Sequence, residues 1–160
     1  MSNSNMNRVT IIAFALFYVL CCSASCLAFK FADCGSTLGK FTEVSVSGCS
    51  TSDERCALVR GTNASISIKF TPNNDISQMN VRVYGVLIDV PVPFPLNKPD
   101  ACKDPDDGIE CPLHKDQEYH YTTTMFVQKK FPSVSVSIKW EFVSEKDEKI
   151  VCIEFPAKVK

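Results

Sequence analysis

The chain has 160 residues, enough for one domain and short for two. Seventeen Lys and Arg against eighteen Asp and Glu leave a formal charge of −1. With no basic block in the sequence, nucleic acid is a poor partner. Nine cysteines in so short a chain argue against a reduced cytosolic protein with scattered thiols.

The N-terminus gives the compartment. Arg8 precedes VTIIAFALFYVLCC, fourteen mostly apolar residues without a charge, and Cys26 and Ala28 stand at the small-residue positions of a cleavage site before Phe29. This is the pattern of a secretory signal peptide over residues 1–28, shorter than the roughly 20 residues of a membrane span. Cleavage there removes Cys21, Cys22 and Cys26. It leaves six cysteines in a mature domain of residues 29–160: Cys34, Cys49, Cys56, Cys102, Cys111 and Cys152. Three disulfides are expected, and sequence alone permits 15 pairings. Cys49 and Cys56 bracket one polar loop and Cys102 and Cys111 another, so each pair can close a local staple, leaving Cys34 near the start and Cys152 near the end. Without a Cys-x-x-Cys, and with His114 and His120 at no standard spacing, no metal site is expected.

The mature chain alternates with a period of two. Val44 and Val46 open the series, followed by Ala64, Ile66, Ile68 and Phe70. Asn63 begins the only Asn-x-Ser/Thr sequon of the mature chain and is a candidate glycan site at the start of that strand. NVRVYGVLIDV is apolar on both faces, so it is covered on both or curves past something apolar. Gly85 within it signals a bulge or a close approach. VPVPFPL, Val90 to Leu96, cannot occupy the middle of a sheet, because proline donates no hydrogen bond. Asp104, Asp106, Asp107 and Glu110 crowd the next turn and read as a solvated, stapled loop. Tyr119, Tyr121, Met125 and Val127 then share a face. Val134, Val136, Ile138, Trp140 and Phe142 share another, opposite Ser135, Ser137, Lys139 and Glu141, and Val151, Ile153 and Phe155 close the series. No long 3.6-residue period occurs. The fold class is therefore all-β: a two-sheet sandwich of about seven strands.

Catalytic chemistry is sparse. There is no Gly-x-Ser-x-Gly elbow, and His114 and His120 lack evident orienting partners, so no catalytic residue is expected; a secreted hydrolase using either histidine is the weakest of three readings. Large apolar and aromatic side chains are abundant, which suits an ordinary core or a sandwich whose sheets stand apart around a lipid.

FADCGS (31–36), VPVPFPL (90–96), PDAC (99–102), CPLHKDQEYHY (111–121), FPSVSVSIKWEF (131–142) and CIEFPAKV (152–159), in this order and with six cysteines, resemble the ML lipid-recognition family. The similarity is closest to the insect members of its Niemann-Pick type C-two branch of sterol-transfer proteins and covers nearly all of the mature chain. The resemblance implies an immunoglobulin-like sandwich with an apolar pocket between its sheets and the pairings 34–152, 49–56 and 102–111. It implies a sterol as cargo, no cofactor and no enzyme activity, and a monomer in the secretory pathway, outside the cell or in the lysosomal lumen. Carried over by position, Val92, Phe94, Val127, Phe131, Trp140, Val151 and Ile153 should line the pocket. Phe131 stands where vertebrate members carry a tyrosine, Ile153 where they carry a second tryptophan, and Val151 also replaces an aromatic residue. Phe94 and Phe131 are expected to gate the mouth, with Lys129 and Lys130 beside it to meet an anionic membrane transiently. Ile88, Val90 and Val92 match the patch that meets the membrane-bound Niemann-Pick type C-one acceptor. The alternative cargo class is other lipids: fatty acids, bacterial lipids or semiochemicals.

Overall fold

The structure, a computed structural model, describes residues 31–50 and 53–160. The expected signal peptide lies outside the described residues. The strands follow in chain order as β1 (Ala32–Asp33), β2 (Gly39–Val46), β3 (Cys56–Leu58), β4 (Asn63–Pro72), β5 (Met79–Leu87), β6 (Val90–Phe94), β7 (Tyr119–Phe126), β8 (Ser135–Ser144) and β9 (Lys149–Val159). Of the seven longer ones, β2, β4, β7, β8 and β9 carry the alternating runs of the sequence, β5 is the segment apolar on both faces and β6 is the proline-rich stretch. The two short ones exist because β9 offers a second edge: β1 pairs with it antiparallel and β3 parallel.

Two sheets result. The larger runs β1-β9-β8-β5-β6 with β3 beside β9, and the smaller runs β2-β4-β7. Their inward rows follow from register. Phe94, Val83, Trp140 and Ile153 form one row across the large sheet. Val92, Gly85, Ile138 and Phe155 form the next, and Val81, Phe142 and Val151 the one on the other side. In the small sheet Phe41, Phe70 and Tyr119 face them, then Val44, Ile68 and Tyr121, then Val46, Ile66 and Thr123.

One end of the sandwich is closed by rings. Phe70 packs on Phe142 at 5.1 Å and on Tyr119 at 5.9 Å between centroids, and Tyr121 meets Phe142 edge-on at 4.9 Å. Rings at these separations add roughly 0.5–1.5 kcal/mol per pair to the burial itself. The disulfides are Cys34–Cys152, Cys49–Cys56 and Cys102–Cys111. Cys34–Cys152 spans 118 residues of sequence and removes about 5 kcal/mol of unfolded-chain entropy in the loop model. The one-turn 3-10 helix Ala101–Lys103 is capped by Asp100, whose Oδ1 accepts the Cys102 N–H at 3.1 Å.

Two expectations about polar positions change. Glu141, assigned to a solvent face, is only 4 % exposed. Lys139 and Lys149 donate to its Oε1 at 2.9 and 3.2 Å. Burial pushes its carboxyl up, but these bonds outweigh that and hold it below the usual carboxylate range. Asp107, read as part of a solvated acidic turn, is 3 % exposed and accepts the Ile109 N–H at 2.9 Å.

Candidate lipid-binding site

The sheets part at the end opposite the Phe70 cluster. A cavity of about 270 Å3 lies there between the second halves of β5 and β9, the first half of β8, strand β6 and the facing ends of β4 and β7. Its volume stands near the lower edge of the roughly 300–1,000 Å3 typical of small-molecule sites. No charged side chain lines it.

Local sequence explains the space. Gly85 lies in an uninterrupted ladder between Val92 and Ile138, so it marks a close approach and not a bulge. A Cβ there would stand 3.2 Å from Val136 Cγ2, within the cavity lining. The outer face of β5, also apolar, lays Tyr84 and Val86 opposite Pro93 and Pro91, and the Lys139 ammonium sits 5.9 Å from the Tyr84 ring centroid.

Strand β6 forms one wall. It pairs only with β5 and is the edge of its sheet. Val90, Val92 and Phe94 oppose Leu87, Gly85 and Val83 on the inward side, while Pro91 and Pro93 alternate with them. Neighbouring residues of a strand point their backbone groups to opposite edges, so the ring nitrogens face the open edge, where no donor is required. The same arrangement denies that edge to a further strand.

Val92, Phe94, Val127, Phe131 and Trp140 all border the cavity. Phe94 and Phe131 meet edge-on at 5.7 Å, an aromatic pair across its wall. Phe131 is held in a turn in which its N–H reaches the Gln128 carbonyl at 3.2 Å and its own carbonyl accepts from Arg60 Nη1 at 3.1 Å. Val151 and Ile153, expected in the pocket wall, do not border this cavity, and both are fully buried. Period two places 151, 153 and 155 on one face, but only Phe155 lies far enough toward the parted end. Val151 continues the Phe142 row and Ile153 the outer end of the Trp140 row, in the closed core. Leu58 and Met125 border the cavity without having been singled out as pocket residues. The parallel pairing that brings Leu58 to β9 leaves no trace in alternation, whereas the inward parity of Met125 was available.

In the β5–β6 turn Ile88 is 96 % exposed, and Val90 just after it is 60 % exposed; neither borders the cavity, although Leu87 and Val92 on either side do. Lys129 and Lys130 are exposed in the segment after β7, and the Lys129 stem lies across Gly61, where a Cβ would meet its Cε at 2.9 Å. Asn63 is exposed at the first position of β4, opposite Phe126. The histidines are elsewhere. His120 Nε2 lies 2.6 Å from Ser67 Oγ on the outer face of the small sheet, and His114 Nδ1 lies 3.9 Å from Asp75 Oδ1; both are exposed and neither touches the cavity. Among the described residues no group of His, Cys, Asp or Glu is arranged to hold a metal ion.

A family model described as ML domain matches residues 28–159. The chain is 41% identical over 147 residues to "NPC intracellular cholesterol transporter 2 homolog a" of Drosophila melanogaster, covering 90% of this chain and 98% of that protein. It is 43% identical over 129 residues to the "Ecdysteroid-regulated 16 kDa protein" of Manduca sexta, covering 81% and 87%. Among solved structures, that of a Niemann-Pick type C2 protein from Japanese carpenter ant is similar with a TM-score of 0.81 and 52% identity, over 82% of this chain and all of that one.

Proposed function

The chain belongs to the ML-domain family, in its Niemann-Pick type C2 branch, and from that premise we propose that it carries one sterol-sized lipid between its sheets and moves it between membranes. The observation that carries this reading is the uncharged cavity at the parted end of the sandwich. A sterol presents a rigid apolar body and one hydroxyl, so an apolar wall of matching shape suffices to hold it. About 28 heavy atoms at roughly 0.3 kcal/mol each give about −8 kcal/mol, a Kd near the micromolar range. Binding and release require no bond to be made or broken, and the proposed role is a carrier without catalysis or cofactor.

The mouth works as a gate. Parting the Phe94–Phe131 pair opens the wall, and closing it removes the cargo from water. Ile88, Val90 and Val92 form the apolar lip that docks on a membrane or on a membrane-bound acceptor of the Niemann-Pick type C-one kind, with Lys129 and Lys130 meeting anionic headgroups. The compartment proposed is the lumen of the secretory and lysosomal pathway or the extracellular space, after removal of residues 1–28 and with a glycan on Asn63. The three disulfides suit such an oxidising history.

The test uses the mature protein and a fluorescent sterol. Saturable binding, with sterol moved from donor to acceptor vesicles, is expected. Val90→Asp should leave binding intact and slow delivery several-fold, since its side chain is mostly in solvent. Failure to bind any sterol overturns the sterol reading; loss of folding in the variant overturns the docking role of the lip. A second reading, a single-chain lipid as cargo, is favoured by the modest cavity volume.

A further inference from the structure

Four residues of the cavity wall, Phe94, Pro95, Met125 and Phe126, also border a second cleft. It has a volume of about 460 Å3 and lies between the segment that follows β6 and strand β7, two edges that do not pair with each other. This cleft is polar where the cavity is not. Thr123 occupies an inward position of β7, in register with Ile66 and between the inward Tyr121 and Met125. A hydroxyl therefore interrupts an otherwise apolar face. Tyr121 is buried beside it, two residues back on the same face of β7, and both residues border the cleft. Asn97 and Gln128 add two side-chain amides to the lining. Lys98 stands at the outer side, its Nζ 2.8 Å from Asp104 Oδ1 and 3.2 Å from Asp106 Oδ2.

We propose that this cleft is a headgroup subsite: a single-chain lipid lays its hydrocarbon in the apolar cavity and an uncharged, hydroxylated headgroup of the glyceryl class in the cleft. The inference rests on the lipid-carrier reading above and names a cargo class for it. Charge selects the headgroup. Lys98, Asp104 and Asp106 together carry −1, and the ammonium is already engaged by both carboxylates, so a phosphate or carboxylate headgroup gains no free cation and meets two anions. Hydroxyls both donate and accept, which suits carboxylate oxygens, amides and the hydroxyls of Tyr121 and Thr123. The shared wall of four side chains places the two environments side by side, as an amphiphile requires.

The experiment displaces a fluorescent sterol from the mature protein with 1-monooleoylglycerol, methyl oleate or ionised oleate, which share one chain. Monooleoylglycerol should bind at least ten-fold more tightly than methyl oleate, and more tightly than oleate at pH 8. Thr123→Val with Asn97→Ala should reduce the first ratio to about three or less. Equal binding of the glyceride and the methyl ester overturns the subsite, as does a ratio untouched by the double variant; oleate binding as tightly as the glyceride overturns its preference for uncharged heads. If the protein takes up neither the sterol nor any oleoyl lipid, the carrier reading itself fails. Circular dichroism of the double variant shows whether it is folded, and Asn97→Ala alone, on an exposed segment, provides the same comparison if it is not.

Discussion

Asp107 joins local geometry to a measurable pH effect. Its carboxylate has left solvent, accepts one backbone N–H, and lies near Asp104 and Asp100, with the Lys98 ammonium also acting on it. Burial pushes its pKa from 3.8 up to about 6, the backbone bond to Ile109 opposing and the two aspartates adding. A folded-state value above the unfolded one means that the folded protein holds a proton the unfolded chain has lost. The associated stability is complete below about pH 4 and is lost as the pH rises through about 6. Asp107→Asn keeps the acceptor for Ile109 and removes the charge. It should stabilise the protein by about 1–2 kcal/mol at pH 7 and by about half as much at pH 5. Urea unfolding at the two pH values measures this, and a gain that is equal at both, or absent at pH 7, refutes it. The Cys102–Cys111 loop that carries Asp107 thus favours the folded state most at acidic pH. Sequence reading assigned this loop to solvent because four acids in eight residues look solvated. What hides Asp107 is the docking of its own carbonyl on the Thr122 N–H at 2.8 Å, a tertiary contact along the free edge of β7 that composition does not record.

At the scale of elements, the alternating strands were legible and their ends were not. Each long strand shows a run of apolar residues two apart, and those runs set the inward rows. β1 and β3 are too short to show a period and form only because β9 is there to receive them. Val151 and Ile153 show the limit of alternation: it gives the face of a strand and not the depth along it at which the sheets begin to part. The β5–β6 hairpin shows another limit. Its two turn residues, Ile88 and Asp89, both have positive φ, at 49° and 64°. A two-residue turn of this kind favours Asn-Gly, whereas a β-branched residue there is strained by roughly 1–2 kcal/mol. The strain is kept at a tip whose isoleucine lies almost wholly in solvent, next to the lip of the cavity. Stability alone would not select that residue, but an apolar contact made only on docking would. Replacing Ile88-Asp89 by Asn-Gly should therefore raise stability by about 1 kcal/mol while slowing sterol delivery to vesicles, with binding in solution unchanged. Thermal unfolding and a vesicle transfer assay separate the two effects, and unchanged delivery would remove the docking role from the turn.

At the scale of the molecule, the sandwich has two unequal ends. The Phe70, Phe142, Tyr119 and Tyr121 rings fill one end, where the Cys34–Cys152 bridge also ties the start of the domain to β9. At the other end the inward rows border a cavity, and its wall includes an edge strand and a loop: β6 and the 127–134 segment. Void without partner atoms forfeits dispersion, so the cavity end is the less stable part. Under the proposed gate, this asymmetry would let a stapled β-protein open for cargo without unfolding, the rings and the long-range bridge holding the sheets together while the Phe94–Phe131 pair parts. Local opening leaves a signature in amide exchange. Without lipid, the inner amides of β8 and β9 around Trp140 and Val151 should exchange at rates near the global unfolding limit, and those of the β5–β6 hairpin and residues 127–134 many-fold faster. Loading with sterol should slow the second group by ten-fold or more, through the binding free energy that opening must then overcome, and leave the first nearly unchanged. Uniform protection of both groups on loading would mean that cargo release requires the whole sandwich to open, and the division into a fixed end and a gated end would fall.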